Sequence, residues 1–261
     1  MPKKLRILVG LGIAVAAIGS YLLFFGVQTF FIWETRRVAR KQPVVWTMPA
    51  QLSDLSVSRA SGKRLSYFGY EFEVPWDDID QERTRVIGTN KAIIAFRSGN
   101  AISFWCGPPD ELMRNLQDGG KINQRDLAQL LGSEAVRSDY AFKSAILDIT
   151  PASFSLFTPK RRAIQLGTLF TMKAVVLPPG AESGLFFVST KEFKGFQYGR
   201  TQNPPRHLSV ELFKSDGHVD IMFGQKVNGP TVISQSDVNL IVQSLRQMAA
   251  DGMVPVEGSH K

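Results

Sequence analysis

The feature that most constrains this chain is an uncharged run of 27 residues near its N-terminus, from Ile7 to Trp33. A helix that crosses the hydrocarbon core of a bilayer needs about 20 apolar residues, at a rise of about 1.5 Å per residue. The run therefore predicts a transmembrane helix over residues 7–33, long enough to tilt or to rest its ends among the headgroups. Phe30, Phe31 and Trp33 are typical of the membrane–water interface.

A cleaved signal peptide is the alternative interpretation of the same run. Ala14-Val15-Ala16 has the small-x-small pattern of a cleavage site. Another 17 uncharged residues follow that site, whereas the apolar region of a signal peptide spans only about 7–15 residues. We therefore favour an uncleaved signal anchor, because removal at Ala16 would leave a bare hydrophobic end.

Most of the positive charge flanks this run. The formal net charge of the chain is +8, and residues 1–41 hold seven basic residues against one acidic residue. The remaining 220 residues carry 24 basic and 22 acidic groups. A body this close to neutral lacks the broad basic surface that binding to a phosphate backbone needs, so we expect no nucleic-acid partner.

The orientation in the membrane is not decided by charge, because three basic residues precede the apolar run and four follow it. The basic N-terminal tail, residues 1–6, is very short and is typical of a signal anchor. We therefore expect a single-pass membrane protein whose body is extracytoplasmic.

Small residues at four-residue spacing within the run are Gly12, Ala16 and Ser20. Such a row lets two membrane helices approach closely, so it is a candidate face for a homodimer. The alternative is chance, because glycine and alanine are common in membrane helices.

The body, residues 53–251, is predicted to be one α+β domain with a mainly antiparallel sheet and several helices. A basic and then proline-containing tether over residues 34–52 precedes it, and a flexible tail over residues 252–261 follows it. In the first predicted strand, 68–74, aromatic and aliphatic residues alternate with glutamates, which is typical of a half-buried strand. The order of strands, helices, strands and a closing helix favours the α+β class.

Turn residues and apolar alternation predict two hairpins, over residues 91–106 and 206–224. The first is expected to turn at Ser98-Gly99-Asn100 and the second at Asp216-Gly217. The expected cross-strand pairs are Phe96 with Ile102, Ile94 with Phe104, Leu212 with Ile221, and Val210 with Phe223.

Helices are predicted from capping residues and apolar spacing. The longest should have Thr158 as N-cap and Pro159 as its first residue, and should end near Leu177. Because its only charge after Ala163 is Lys173, we expect a buried core helix. The other predicted helices cover 109–117, 124–131 and 139–149, with a closing helix that starts at the capping box Ser234-x-x-Asp237.

The segment Gly69-Tyr70-Glu71-Phe72-Glu73-Val74-Pro75-Trp76 resembles the opening strand of PsbP/Mog1-like domains. The close of the body, which ends in Gln243-Ser244-Leu245-Arg246, is similar to the close of those domains. The resemblance covers the two ends of the body, and the helix-rich middle departs from it. It implies a non-catalytic binding or assembly module and carries no functional residue across.

Three groups of side chains are candidates for chemistry. Asp77, Asp78, Asp80 and Glu82 could bind calcium, although the spacing lacks the EF-hand pattern and a solvated turn is favoured. The histidines at 207 and 218 are expected to face solvent. Cys106 is expected to be a small buried residue rather than a nucleophile. We therefore predict no catalytic residue, no metal site and no cofactor.

A fourth candidate group is basic. Lys160, Arg161 and Arg162 occupy the first turn of the long helix, where cations oppose the helix dipole unless an anion offsets them. The alternative is that the three side chains extend into water or pair with carboxylates.

Three functions remain open from the sequence. The favoured one is a membrane-anchored, non-catalytic module that binds an unknown protein or envelope component, which exposed aromatics in Phe193–Tyr198 would support. The second is a membrane-tethered, hydrolase-like enzyme that uses Asp77–Asp80 or the hairpin histidines. The third is a domain that binds anions or anionic lipid through Lys160–Arg162.

Overall fold

The computed structural model of the protein describes residues 3–57, 62–120, 123–201, 207–225 and 232–248. The chain divides into two compact units. The helical unit comprises Met1–Met48 and Asn115–Leu177, and the sheet unit comprises Pro49–Arg114 and Pro178–Lys261. The mixed α+β class predicted from the sequence is confirmed. The body is not one unit, however, because its helix-rich middle groups with the N-terminal helix.

The N-terminal helix, α1, is longer than the predicted span and runs from Lys3 to Lys41. No proline interrupts it, and a 3₁₀ helix follows at Pro43–Trp46. Residues 34–41, which were assigned to a tether, are therefore helical. Its described segment Val15–Lys41 is long and apolar enough to cross a membrane, by length and composition.

The long helix predicted to lie in the core, Lys160–Val176, is α5, and the rest of the helical unit packs around it. Its buried face carries Ala163, Leu166, Leu169 and Phe170. The other helices that follow α1 in the chain are α2 (Glu111–Gly120), which crosses the boundary between the units, α3 (Gln124–Leu131) and α4 (Asp139–Leu147). The bounds predicted for α3 are confirmed, and those for α4 and α5 agree to within two residues at each end.

Local capping explains where these helices begin. The side chain of Asn123 accepts a hydrogen bond from the Asp126 amide, and that of Ser138 accepts one from the Ala141 amide. The predicted cap of α5 is wrong by one residue: Pro159 occupies the N-cap position, and the Thr158 hydroxyl accepts from the Ser155 amide instead. Helix α5 therefore starts without a side-chain cap.

The sheet unit contains a mainly antiparallel eight-stranded sheet in the order β1-β7-β8-β9-β10-β6-β5-β4, in which, among the described strands, only β1 pairs in parallel. A smaller sheet has the order β11-β3-β2. The strands are β1 (Ala50–Gln51), β2 (Lys63–Tyr67), β3 (Tyr70–Val74), β4 (Arg85–Ile87), β5 (Lys91–Ala95), β6 (Asn100–Gly107), β7 (Leu185–Ser189), β8 (Lys194–Tyr198), β9 (Leu208–Lys214), β10 (Gly217–Gln225) and β11 (Arg246–Gln247).

The core of the sheet unit lies between one face of the large sheet and a layer made of the small sheet and α6 (Gln235–Ser244). The Phe72 ring of β3 stacks on the Phe104 ring of β6, with centroids 5.1 Å apart. Tyr70, Phe72 and Val74 are buried while the glutamates between them are partly exposed, which confirms the predicted alternation. The capping box at Ser234 and Asp237 is also confirmed, with both reciprocal hydrogen bonds present.

Both hairpins form, but each register is shifted by two residues from the predicted pairing. Ile94 lies opposite Ile102 and Ala92 opposite Phe104. The reason is that the first turn takes in Phe96 to Gly99, closed by a bond from the Phe96 amide to the Asn100 carbonyl. The second hairpin turns at Ser215-Asp216, so that Leu212 faces Val219 and Val210 faces Ile221. Since a shift of two keeps side chains on the same face, the predicted apolar residues are still buried.

Two side-chain environments in the sheet unit bear on the predictions. The aromatic residues of Phe193–Tyr198, whose exposure would have supported the binding module, are buried in or beside β8. His218, which is predicted to face solvent, lies opposite Phe213 and is only 8% exposed, because its imidazole packs against the rings of Trp105 and Phe213.

Candidate functional site

Helix α1 changes its surroundings at Gln28. The side chains of Val15, Ile18 and Leu23 are 60% or more exposed. From Gln28 onwards α1 packs against the helical unit: the Gln28 Nε2 donates to the Thr158 carbonyl at 3.2 Å, and the Phe31 ring stacks on Phe154 at 6.1 Å between centroids. The described part of α1 therefore has an exposed apolar stretch followed by a stretch that belongs to the fold.

The Gly167 position on α5 makes the close approach of α1 feasible. A Cβ atom at this glycine would overlap the Phe31 ring of α1. Thr35 and Ala39, further along α1, are buried against the same unit. The contact is therefore built on shape, with a small residue on one helix accepting an aromatic ring from the other.

The loop between the 3₁₀ helix Pro151–Ser153 and α5 leaves apolar side chains in water. Phe157 is 92% exposed and Leu156 is 39% exposed. The predicted basic residues of the first turn of α5 follow at once, and Lys160, Arg161 and Arg162 are all exposed. Because the Thr158 carbonyl accepts from Gln28, this loop lies beside the point where α1 becomes buried.

An open groove of about 1260 Å³ lies in the helical unit between α3, the end of α4 and the start of α5. Arg125, Arg161 and Arg162 line it together with the carboxylates of Glu134 and Asp148. Lys160 is not among the lining residues. The groove therefore brings two of the three predicted basic residues together with groups of both signs.

Lys173, the only charge in the second half of α5, is completely buried. Its Nζ donates to three backbone carbonyls, those of Thr47 at 2.8 Å and of Leu147 and Ile149 at 2.7 Å. An ammonium has three N–H donors, so each of them has an acceptor. The carbonyls of Leu147 and Ile149 stand at the C-terminal end of α4, where a cation is favourable. Lys173 thus fastens the end of α4 and the segment after α1 onto α5.

Burial lowers the pKa of Lys173 to about 8, against a smaller opposing effect of the Asp148 carboxylate. Burial likewise raises the pKa of Asp148, and the charge of Lys173 opposes that shift. At pH 7 the lysine is therefore mainly an ammonium whose donors are all used, which describes a structural cation rather than a nucleophile.

In the acidic turn, residues 77–82, the carboxylates of Asp78 and Asp80 accept hydrogen bonds from backbone amides. The Asp78 carboxylate accepts from the Ser98 amide at 2.6 Å, and the Asp78 carbonyl accepts from the Arg97 amide at 2.9 Å. The Asp80 carboxylate accepts from the Arg83 amide at 3.3 Å. The two Asp78 bonds hold the turn of the β5–β6 hairpin, whereas the Asp80 bond lies within the acidic turn itself. Among the residues that the structure describes, no group of three or more His, Cys, Asp or Glu side chains could hold a metal ion.

His218 lies on β10, beside the end of β6 that is remote from the β5–β6 turn. Its register partner on β6 is Gly107, seven residues from Asn100 at the turn end, which is about 23 Å along a strand. The imidazole packs edge-on against Trp105, with centroids 4.7 Å apart, and its Nδ1 lies 3.2 Å from the Pro108 carbonyl. The structure therefore does not bring this histidine to the acidic turn.

The remaining predicted residues are dispersed. His207 precedes β9 and is exposed, and the Cys106 thiol is half-buried, with its pKa raised by burial. Ala16 and Ser20 are exposed on α1. The burial of Gly12 lies outside what the structure describes. The homodimer face therefore stays a prediction.

Comparison with known proteins adds no relative. No family model matches the chain, and neither a curated protein nor a solved structure matches it significantly.

Sequence reasoning missed two features of the helical unit. Lys173 was noted only as a lone charge, although a single lysine in an apolar helix is a signal for a buried, fully bonded ammonium. The exposed pair Leu156-Phe157 gave no signal, because an apolar dipeptide before a helix is equally typical of a buried one.

Proposed function

We propose that the protein is a single-pass membrane-anchored, non-catalytic binding or assembly module with an extracytoplasmic body. The observation that carries the proposal is the division of α1. Among its described side chains, the apolar residues from Val15 to Phe25 are exposed, and from Gln28 it is part of the helical unit. From Ile7 to Val27 is about 20 residues, or about 30 Å of helix, which is the thickness of a hydrocarbon core.

A helix that is apolar on all sides and unburied needs an apolar solvent. Phe30 and Trp33, which are more than half exposed, follow this segment at the level expected for an interface, and Arg37 lies 5.4 Å above the Trp33 ring. The anchor joins the body through continuous helix, so the helical unit is held rigidly beside the membrane.

The binding role is supported by the surfaces of the body. The groove of the helical unit presents both charges, and the edge strand β4 exposes Val86 and Ile87. An exposed strand edge with apolar side chains is a surface on which an extended segment of a partner can pair.

The anchor is tested by fractionation of the full chain after alkaline extraction of membranes. A Val15→Arg/Ile18→Arg variant places two charges near the bilayer centre, at a cost of about 2.5–3.5 kcal/mol each, and should move into the soluble fraction. Val86→Arg, an exposed apolar site of the sheet unit, is the matched control and should stay with the membrane. A soluble wild-type chain would refute the anchor.

The orientation is tested separately. Protease added to intact cells should leave the body whole, whereas protease added to spheroplasts should digest it. Protection in spheroplasts that is lost only on lysis would place the body in the cytoplasm and refute that part of the proposal.

A further inference from the structure

We propose that Leu156, Phe157, Lys160, Arg161 and Arg162 form a docking surface that binds the anionic phospholipid headgroups of the membrane that α1 enters. The inference rests on the proposed function, because it takes α1 to span that membrane. It adds a second contact with the same bilayer, made by the body itself.

The position of the docking surface is fixed by the Gln28–Thr158 hydrogen bond. Thr158 lies between the two apolar and the three basic residues of the surface in the chain. Gln28 lies within five residues of Trp33, which is about 7.5 Å along the helix axis. The docking surface therefore stands at the level where α1 passes from lipid to water.

The apolar part has the chemistry of an interfacial contact. Phe157 has almost its whole ring in water, at 92% exposure, and Leu156 beside it is 39% exposed. Aromatic and aliphatic side chains beside basic residues are typical of segments that lie in the headgroup region. A bilayer at this level would cover apolar area that the fold itself leaves uncovered.

The charged part attracts anions, although Glu134 and Asp148 line the same groove as Arg161 and Arg162. Lys160, Arg161 and Arg162 stand at the N-terminal end of α5, where the helix dipole adds to their positive charge. Within the described part of the chain, no carboxylate forms an ion pair with any of the three. The phosphate groups of anionic lipids supply the opposite charge, and each basic residue near such a surface contributes about a fivefold factor in binding.

The test uses the full chain inserted in vesicles of phosphatidylcholine with and without phosphatidylglycerol. Cys106→Ser removes the only native cysteine, and Leu156→Cys carries an environment-sensitive fluorophore beside an intact Phe157. Val175→Cys is the matched position, because it is 79% exposed at the other end of α5, about 22 Å away. Fluorophore emission and its quenching by lipid-borne quenchers report the docked state.

We expect blue-shifted, quenchable emission at position 156 but not at 175, stronger with phosphatidylglycerol and weaker at high salt. Lys160→Gln/Arg161→Gln/Arg162→Gln should lower the ratio of docked to undocked protein about 100-fold. The control Arg97→Gln/Lys191→Gln/Lys194→Gln removes three exposed cations of the sheet unit and should change it little.

Flotation of the labelled chain with the vesicles separates the two proposals. A chain that does not float refutes the membrane anchor. The docking surface is refuted, and the anchor is left in place, if the chain floats but the emission at position 156 does not depend on phosphatidylglycerol. The same holds if the chain floats and the docked fraction falls equally in both triple variants.

Discussion

Replacing Lys173 with methionine should loosen the helical unit and leave the sheet unit unchanged. The substitution keeps much of the aliphatic volume and removes the three N–H donors. The carbonyls of Thr47, Leu147 and Ile149 would lose bonds of 2.7–2.8 Å. A buried carbonyl without a donor costs about 1–3 kcal/mol. We take the lower value for each, about 3 kcal/mol in all, because the variant no longer buries a charge.

Hydrogen exchange measured by mass spectrometry on the full chain in detergent micelles is the suitable assay, because it resolves the two units. A loss of about 3 kcal/mol corresponds to about 100-fold faster exchange of the α4 and α5 amides that exchange through opening of the unit. Lys160→Met, on the exposed first turn of the same helix, is the control and should change exchange by less than about threefold. Unchanged exchange in α4 and α5 of Lys173→Met, or equal acceleration in β5 and β6, would refute the reasoning.

Three further predictions use the same assay. The pKa of Lys173 is about 8 in the folded state and about 10.5 in the unfolded state. The contribution of Lys173 to stability is therefore complete above pH 10.5 and is lost as the pH falls through 8. Between pH 8 and pH 10.5 the protection of α5, corrected for intrinsic exchange, should rise in the wild type and not in Lys173→Met. Gly167→Val should destabilise the helical unit by about 1–3 kcal/mol, because its side chain displaces Phe31, and Phe31→Ala in the same chain should restore part of the loss. Ser234→Ala removes one half of the capping box and should cost about 1 kcal/mol, seen as about fivefold faster exchange in the first turns of α6, and protection there that does not change would contradict the role of the cap.

Patterns that depend on near neighbours in sequence predicted the structure well. Apolar alternation predicted β3 and the capping box predicted the start of α6, because each pattern depends on residues within one or two turns of chain. The buried face of each hairpin was also predicted correctly, since apolar alternation fixes which face is buried.

The hairpin registers could not be found in the same way. A register that moves by two residues buries the same set of side chains, so the apolar pattern is equally satisfied by both. In the first hairpin the Arg97 and Ser98 amides donate hydrogen bonds to Asp78, about 20 residues away in sequence, and these bonds hold the turn at this place. No local turn preference contains that information.

The division into two units was likewise beyond the sequence pattern. A helical stretch between two sets of strands is equally typical of one α+β domain. What assigns it to α1 is long-range packing, such as Phe31 against Gly167 and the bonds from Lys173 to Thr47. Among the candidate residues, the basic turn of α5 was visible in the sequence, but its position beside the end of the exposed half of α1 was not.

Helices α1 and α5 are joined at two places that lie far apart. Gln28 bonds to Thr158 before the start of α5, and the segment after α1 bonds through Thr47 to Lys173, 15 residues further along, which is about 22 Å of helix. Gln28→Leu would leave the Thr158 carbonyl without this donor and should cost about 1 kcal/mol.

Sites this far apart with no shared partner should have additive effects, so Gln28→Leu/Lys173→Met should cost about 4 kcal/mol in the exchange of α5. A coupling above about 0.5 kcal/mol would show that the two joints act through one rigid α1–α5 pair. Additivity would mean that the two contacts stabilise the helical unit independently of each other.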